Sequence, residues 1–200
     1  MYSFFDKVTM QKNKPAFVFN TYGFLSVRTK SELGNLARSK GFNVLSGFSL
    51  HTPENYPPMR SRNMAFDKAP KPKELNNFDN YIKFLNNRLK EIKSGKTPKP
   101  EKLKTGVMGV IFPKFPRTQS KKDFGIQNVD ESLCIECGMC KKVCPYEAIE
   151  LNPKPIFDHN KCHGCWACYN HCPTKAIYTP KFKGIHHYPK PNAEMMRKLG

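Results

Sequence analysis

No run in the 200-residue sequence comes near the roughly 18 consecutive apolar residues of a membrane-spanning helix, so no span is expected. The N-terminus also lacks the charged, apolar and small-residue succession of a secretory signal, which makes the cytoplasm the expected compartment. Cysteine is missing from residues 1–133 and again from 173–200, so no disulfide framework can hold most of the chain together. Acidic residues are scarce, 16 against 34 Lys and Arg, for a net charge of +18. The imbalance is local: residues 1–128 carry 24 basic against 9 acidic side chains, residues 129–180 carry 5 against 6, and residues 181–200 carry 5 against 1. Such a surface favours an acidic protein, nucleic acid or an anionic membrane. Nucleic acid is not an expected partner, because the charge comes without a binding motif or an aromatic-basic platform.

What is present is 38% hydrophobic content with 12% aromatics, enough for a core, and 17 prolines, which imply long extended connections. All eight cysteines fall between Cys134 and Cys172, in the one near-neutral block. In a reducing compartment, cysteines packed this densely are read as metal ligands.

The block is an internal repeat. "CIECGMCKKVCPYEAI", Cys134 to Ile149, superimposes on "CHGCWACYNHCPTKAI", Cys162 to Ile177, with a constant offset of 28 residues. Each copy reads C-x2-C-x2-C-x3-C-P, and this quarter of the chain resembles the bacterial two-cluster 4Fe-4S ferredoxins, in whose run the fourth cysteine ligates the other cluster. Three thiolates at three-residue intervals on one loop reach three irons of a cubane, and the fourth iron needs a ligand from elsewhere. The expected ligands are therefore Cys134, Cys137, Cys140 and Cys172 for cluster I, and Cys162, Cys165, Cys168 and Cys144 for cluster II. Zinc would call for paired C-x2-C elements and gives no reason for the third cysteine or the x3-C-P ending.

Ile135, Ile149, Ile177, Tyr146 and Phe157 are expected to pack around the clusters, and His163 and His171 to be exposed loop residues. Trp166 stands where the first copy has Gly138, and His163 is confined to the second loop, so the clusters are expected to differ in exposure or potential. The resemblance implies low-potential, one-electron transfer between redox partner proteins. The basic remainder of the chain implies acidic docking surfaces on those partners.

Before this block, Pro15 to Thr21 reads as an apolar strand. A helix follows, with Leu33, Leu36 and Ala37 at helical spacing, Ser31 as an N-cap and Gly41 as a stop. Phe42 to Leu50 reads as a second strand. A helix from about Lys73 to Ser94 has Leu75, Phe78, Ile82, Leu85, Leu89 and Ile92 on one stripe. "FVFNTYG" and "GFNVLSGFSLHTPENY", in this order of elements, resemble the second half of a flavodoxin-like domain of the kind fused to two-cluster ferredoxins. The match implies that Thr21, Tyr22 and Gly23 form the loop along an FMN ring. The Ser/Thr/Gly-rich phosphate loop of such domains has no counterpart ahead of this strand, so FMN would need further residues or another chain.

In that strand order the first strand is paired on one side only, and another chain completing the sheet is one way to cover its apolar edge. The expected fold class is a partial flavodoxin-like α/β segment with half of a parallel sheet, joined to a small α+β ferredoxin-like domain with two 4Fe-4S clusters. The expected boundaries are 1–95 for the partial α/β segment, 96–128 for a basic Lys/Pro linker, 129–180 for the two-cluster domain and 181–200 for a basic tail. Within the linker, the apolar patch from Val107 to Phe115 is expected to pack on the cluster domain or a partner. An iron-sulfur subunit of a flavin-dependent oxidoreductase is one alternative to a simple electron carrier, and a basic nucleic-acid-binding protein with structural clusters, which the charge alone motivates, is another.

Overall fold

A computed structural model describes residues 2–111, 119–188 and 193–199. In chain order the elements are α1 (Tyr2–Asp6), β1 (Lys14–Tyr22), α2 (Thr29–Ser39), β2 (Phe42–His51), α3 (Pro57–Arg60), α4 (Pro72–Lys93), α5 (Val107–Ile111) and α6 (Gln119–Phe124). They continue with β3 (Asn128–Val129), α7 (Met139–Lys142), β4 (Ile149–Asn152), β5 (Lys154–Phe157), α8 (Ala167–His171), β6 (Ile177–Tyr178) and α9 (Ala193–Leu199). Two compact units result: the described residues of 1–52, 68–113 and 192–200 form the first, and those of 53–67 and 114–191 the second.

The first unit is mixed α/β. β1 and β2 pair in parallel from Lys14↔Phe42 to Tyr22↔His51, with a register shift between Ala16 and Phe17. Among the described residues this sheet has two strands. Parallel neighbours need a crossover, and α2 supplies it. One face of the sheet meets α2 through a core of Phe5, Val18, Ala37, Val44 and Leu103. On the other face Phe19 and Phe48 meet Phe78 and Tyr81 of α4, with Phe48 stacked on Tyr81 at 4.8 Å. α4 opens with Pro72 at its first turn and with the Lys71 N–H donated to the Glu74 carboxylate at 2.6 Å.

Part of the stretch read as a basic Lys/Pro linker is bound to this unit. The Glu101 N–H donates to the Val44 carbonyl, the Arg38 guanidinium to the Glu101 carbonyl, and the Ser31 and Thr105 hydroxyls share a 2.6 Å hydrogen bond. Leu103 is buried because Gly34 and Gly47 leave room for it. A Cβ on Gly34 would lie 2.7 Å from the Leu103 side chain, and one on Gly47 would lie 2.9 Å from it. The apolar patch is described only over its first residues. Its residues 107–111 form α5, with Val107, Val110 and Ile111 more than two-thirds exposed, and its remainder lies outside the described residues.

In the second unit, Pro53 to Asp67 joins the cysteine block, so the contact boundaries differ from those drawn on composition. Its core is Cys140, Ile149, Trp166, Cys168, Tyr169, Ile177 and Phe182, with Tyr56, Phe124 and Phe157 packed around it.

Candidate metal centre

The 28-residue repeat folds into two copies that exchange their ends. β3, which leads into the first cysteine loop, pairs antiparallel with β6, which follows the second, and Val129 faces Ile177. β4, which follows the first loop, pairs with β5, which leads into the second, and Ile149 faces Phe157. The anchoring bonds repeat as well. Asp130 N–H donates to Ala176 O at 2.8 Å and Asp158 N–H to Ala148 O at 2.9 Å, while Cys134 N–H reaches Asp130 O and Cys162 N–H reaches Asp158 O. This exchange carries Cys172 to the first loop and Cys144 to the second.

Each loop curls because matched residues adopt left-handed backbone. The pairs are Glu136 and Gly164 at φ 56° and 63°, Gly138 and Trp166 at 70° and 64°, and Glu147 and Lys175 at 49° and 58°. One cavity is lined by Cys134, Cys137, Cys140 and Cys172 with Ile135, Met139 and Ile177. The other is lined by Cys144, Cys162, Cys165 and Cys168 with Gln127, Tyr146, His163 and Trp166. None of the eight cysteines forms a disulfide. Among the described residues no three His, Cys, Asp or Glu side chains meet at a point that a single ion would occupy. Each set of four thiols is spread around a cavity wall instead.

The donor set suits a cluster of thiolates. N–H groups point at sulfur: Ala148 at Cys144 Sγ and Gly164 at Cys162 Sγ, both at 3.4 Å, and Ala176 at Cys172 Sγ at 3.2 Å. Such bonds favour negative charge on the sulfurs, whereas the apolar walls oppose it. Burial pushes the thiols of Cys140, Cys162 and above all Cys168 up. At Cys172 burial also acts upward, but the Ile177, Ala176 and Thr174 N–H groups and the Thr174 hydroxyl outweigh it and draw the thiol down. Cys137 and Cys165 are exposed, so each cavity has one cysteine facing solvent.

The two cavities have different backing. Trp166 is 1% exposed and sets its ring edge-on to Tyr56, Tyr169 and Phe182 at 5.1 to 6.0 Å. At the matching site of the first copy, Gly138 leaves only Leu151 nearby. Ile149 and Ile177 are buried as expected, whereas Ile135 is 63% exposed and Tyr146 41%. Tyr146 is capped by His163, ring centroids 4.0 Å apart, so His163 is a half-buried partner where an exposed loop residue was expected. His171 is exposed. Gln127 carried no motif signal. It is 1% exposed, and its side-chain oxygen accepts from the Cys162 thiol at 3.4 Å.

Thr21, Tyr22 and Gly23 lie at the carboxyl end of β1, in the first unit. The Tyr22 ring stacks on His51 at 5.2 Å, and His51 Nδ1 meets Glu74 at 3.0 Å. Burial, with Glu74 nearby, raises the Tyr22 hydroxyl above its ordinary value. One face of the aromatic ring expected along a flavin is thus occupied by His51.

Residues 127–179 match the family described as a 4Fe-4S dicluster domain. Over 51 residues the chain is 43% identical to a ferredoxin of Pyrobaculum islandicum, a match covering 24% of this chain and 48% of that protein. It is 39% identical over 54 residues to an uncharacterized ferredoxin of Methanocaldococcus jannaschii, covering 24% of this chain and 70% of that protein. It is 37% identical over 51 residues to the pyruvate synthase subunit PorD of the same organism, covering 24% and 59%. The matched stretch spans about half the length of the Pyrobaculum protein. No helix among the described residues is long and apolar enough to cross a membrane.

Proposed function

Through residues 127–179 the chain belongs to the 4Fe-4S dicluster ferredoxin family, and we propose that it carries two 4Fe-4S clusters that relay single electrons between redox partner proteins in the cytoplasm. Cys134, Cys137, Cys140 and Cys172 hold cluster I, and Cys162, Cys165, Cys168 and Cys144 hold cluster II. The observation that carries this reading is the grouping of the eight cysteines around two cavities, each taking three from one loop and the fourth from the other. Bound clusters of this type supply one-electron oxidation and reduction, at potentials set by charge, hydrogen bonds to sulfur and exposure.

The chain's own residues do the tuning. The Ala148, Gly164 and Ala176 N–H groups stabilise charge on sulfur, and the aromatic block behind Trp166 keeps water from one side of the second cavity. Cys137 and Cys165 give partners a short approach to each cluster. The excess of 24 basic over 9 acidic side chains in residues 1–128 supports docking to acidic partners.

Anaerobic redox titration is the test. The protein should take up about two electrons per chain, with bleaching of its visible sulfur-to-iron absorption, and should pass them to an acidic acceptor at a rate that falls with added salt. A chain that takes up no electrons is not a carrier.

In a second reading, residues 1–95 are a partial flavodoxin-like segment and the clusters feed FMN held along Thr21, Tyr22 and Gly23. The position of these residues at the carboxyl ends of two parallel strands favours it, since ligands of open α/β sheets gather there. Equilibrium dialysis with FMN decides: stoichiometric uptake that is lost in Tyr22→Ala supports the reading, and no uptake by the chain or by its purified assembly removes it.

A further inference from the structure

The first unit contains an apolar groove of about 330 Å³ that the cysteine chemistry does not use. Pro15, Ala16 and Phe17 of β1 form one wall, and Ile82, Leu85, Leu89 and Ile92 of α4 form the other, with Arg88 among them. Among the described residues β1 pairs with β2 alone, and no other strand bonds the backbone of its second edge beside this groove. Beside that edge Phe17 is 55% exposed, Phe19 37%, Ile82 40% and Leu89 48%. The apolar stripe of α4 runs the length of the helix, but Leu75 is its one buried residue. The lower half of the stripe therefore overhangs the space where a third strand would lie.

We propose that this edge and groove take an extended apolar segment with acidic flanks, supplied by a partner protein and added to β1 as a third strand. Strand addition satisfies the backbone of the edge and, with alternate side chains turned under α4, covers Phe17 and Leu89. The charge of the occupant follows from the groove's own. Between Ile82 and Ile92, α4 carries Lys83, Arg88 and Lys90 against Glu91, and Lys14 begins β1.

Arg88 lies against Phe84 and pairs with Glu91 through Nη1 at 2.9 Å, but its Nε is buried and, among the described residues, has no hydrogen-bond partner. A carboxylate or carbonyl of the incoming segment satisfies that donor. A second copy of the chain is disfavoured as occupant because it brings the same positive charge to the same edge.

Selection from a displayed library of random decapeptides against the full, cluster-loaded chain tests this directly. Enriched peptides should alternate apolar residues and carry Asp or Glu at their flanks. N-methylating the amides along one edge of such a peptide should abolish binding, and methylating the other edge should not. Arg88→Gln should weaken binding about tenfold, and Phe17→Asp or Ile82→Asp, both at partly exposed positions, should remove it while leaving the visible spectrum unchanged. No enrichment, enrichment of basic or helix-patterned peptides, or binding indifferent to both aspartate variants overturns the assignment. A dimer in analytical ultracentrifugation that dissociates on Phe17→Asp overturns it in favour of a second copy.

Discussion

Trp166 combines two features that act against each other, and separating them gives a test with an unusual sign. Its backbone sits at φ 64°, a region that costs an L-residue roughly 1–2 kcal/mol, while its side chain is 1% exposed among Tyr56, Tyr169 and Phe182. Trp166→Ala loses the ring and keeps the backbone cost, so it should destabilise the second unit by about 3–5 kcal/mol. Trp166→Gly loses the same ring but relieves the backbone, and should recover about 1 kcal/mol of that loss. At an ordinary position glycine is the worse of the two, by about 0.5–1 kcal/mol. At position 166 the order should invert.

For a unit of this size 1 kcal/mol corresponds to roughly 4–8 °C in Tm, so the glycine variant should melt about that far above the alanine variant. Anaerobic thermal scans at one fixed rate, following the visible circular dichroism of the loaded protein, resolve this difference. The matching position isolates the backbone effect. Gly138→Ala meets only the Leu151 side chain, at an ordinary 3.4 Å, and should cost about 1–2 kcal/mol from φ alone. A glycine variant that melts at or below the alanine variant refutes the reasoning.

Leu103→Ala should destabilise the first unit by about 2–5 kcal/mol, read by chemical denaturation, and leave the cluster absorption of the second unit unchanged. Loss of both together would mean that the units fold as one. Burial, reinforced by Lys175, holds His187 below its ordinary pKa of 6.5, with its ring stacked on Tyr169 at 4.2 Å. The folded state therefore binds fewer protons than the unfolded one below that pH, so stability is fully present above 6.5 and falls as the pH drops beneath it. His187→Phe keeps the stack and should flatten that slope in Tm measured against pH; an unchanged slope would place its origin elsewhere. Cys144→Ser should alter the electron paramagnetic resonance signal of the cluster held by the second loop, and Cys172→Ser that of the first. The opposite assignment would mean that the ligands do not cross.

The cysteine unit was the most legible part of the chain, because its chemistry requires residues at fixed spacing and the 28-residue offset repeats every one of them. The crossing of chain ends, seen in the pairing of β3 with β6 and of β4 with β5, is how the backbone realises that offset. β1, α2, β2 and α4 were legible to within a few residues through periodicity and their Pro and Gly boundaries. Leu103 was not: a single apolar residue in a Lys/Pro stretch has no period, and the space that receives it is made by Gly34 and Gly47, far away in sequence. Tyr56 and Gln127 were missed for a similar reason, since each acts by long-range packing against the cysteine loops: Tyr56 was read only as the end of the flavodoxin-like phrase, and Gln127 belongs to no motif. Trp166 was visible as a difference between the copies, but its left-handed backbone followed only from the structure. The resemblance of residues 1–95 to a flavodoxin-like half rested on short phrases and on element order, and two parallel strands with a crossover helix satisfy those without requiring more.

The central claim is that the eight thiols hold two iron-sulfur cubanes. Elemental and acid-labile sulfide analysis of anaerobically purified protein tests it most directly. About eight irons and eight sulfides per chain are predicted, as two 4Fe-4S clusters require. About two zincs per chain, with no iron and no sulfide, would contradict it.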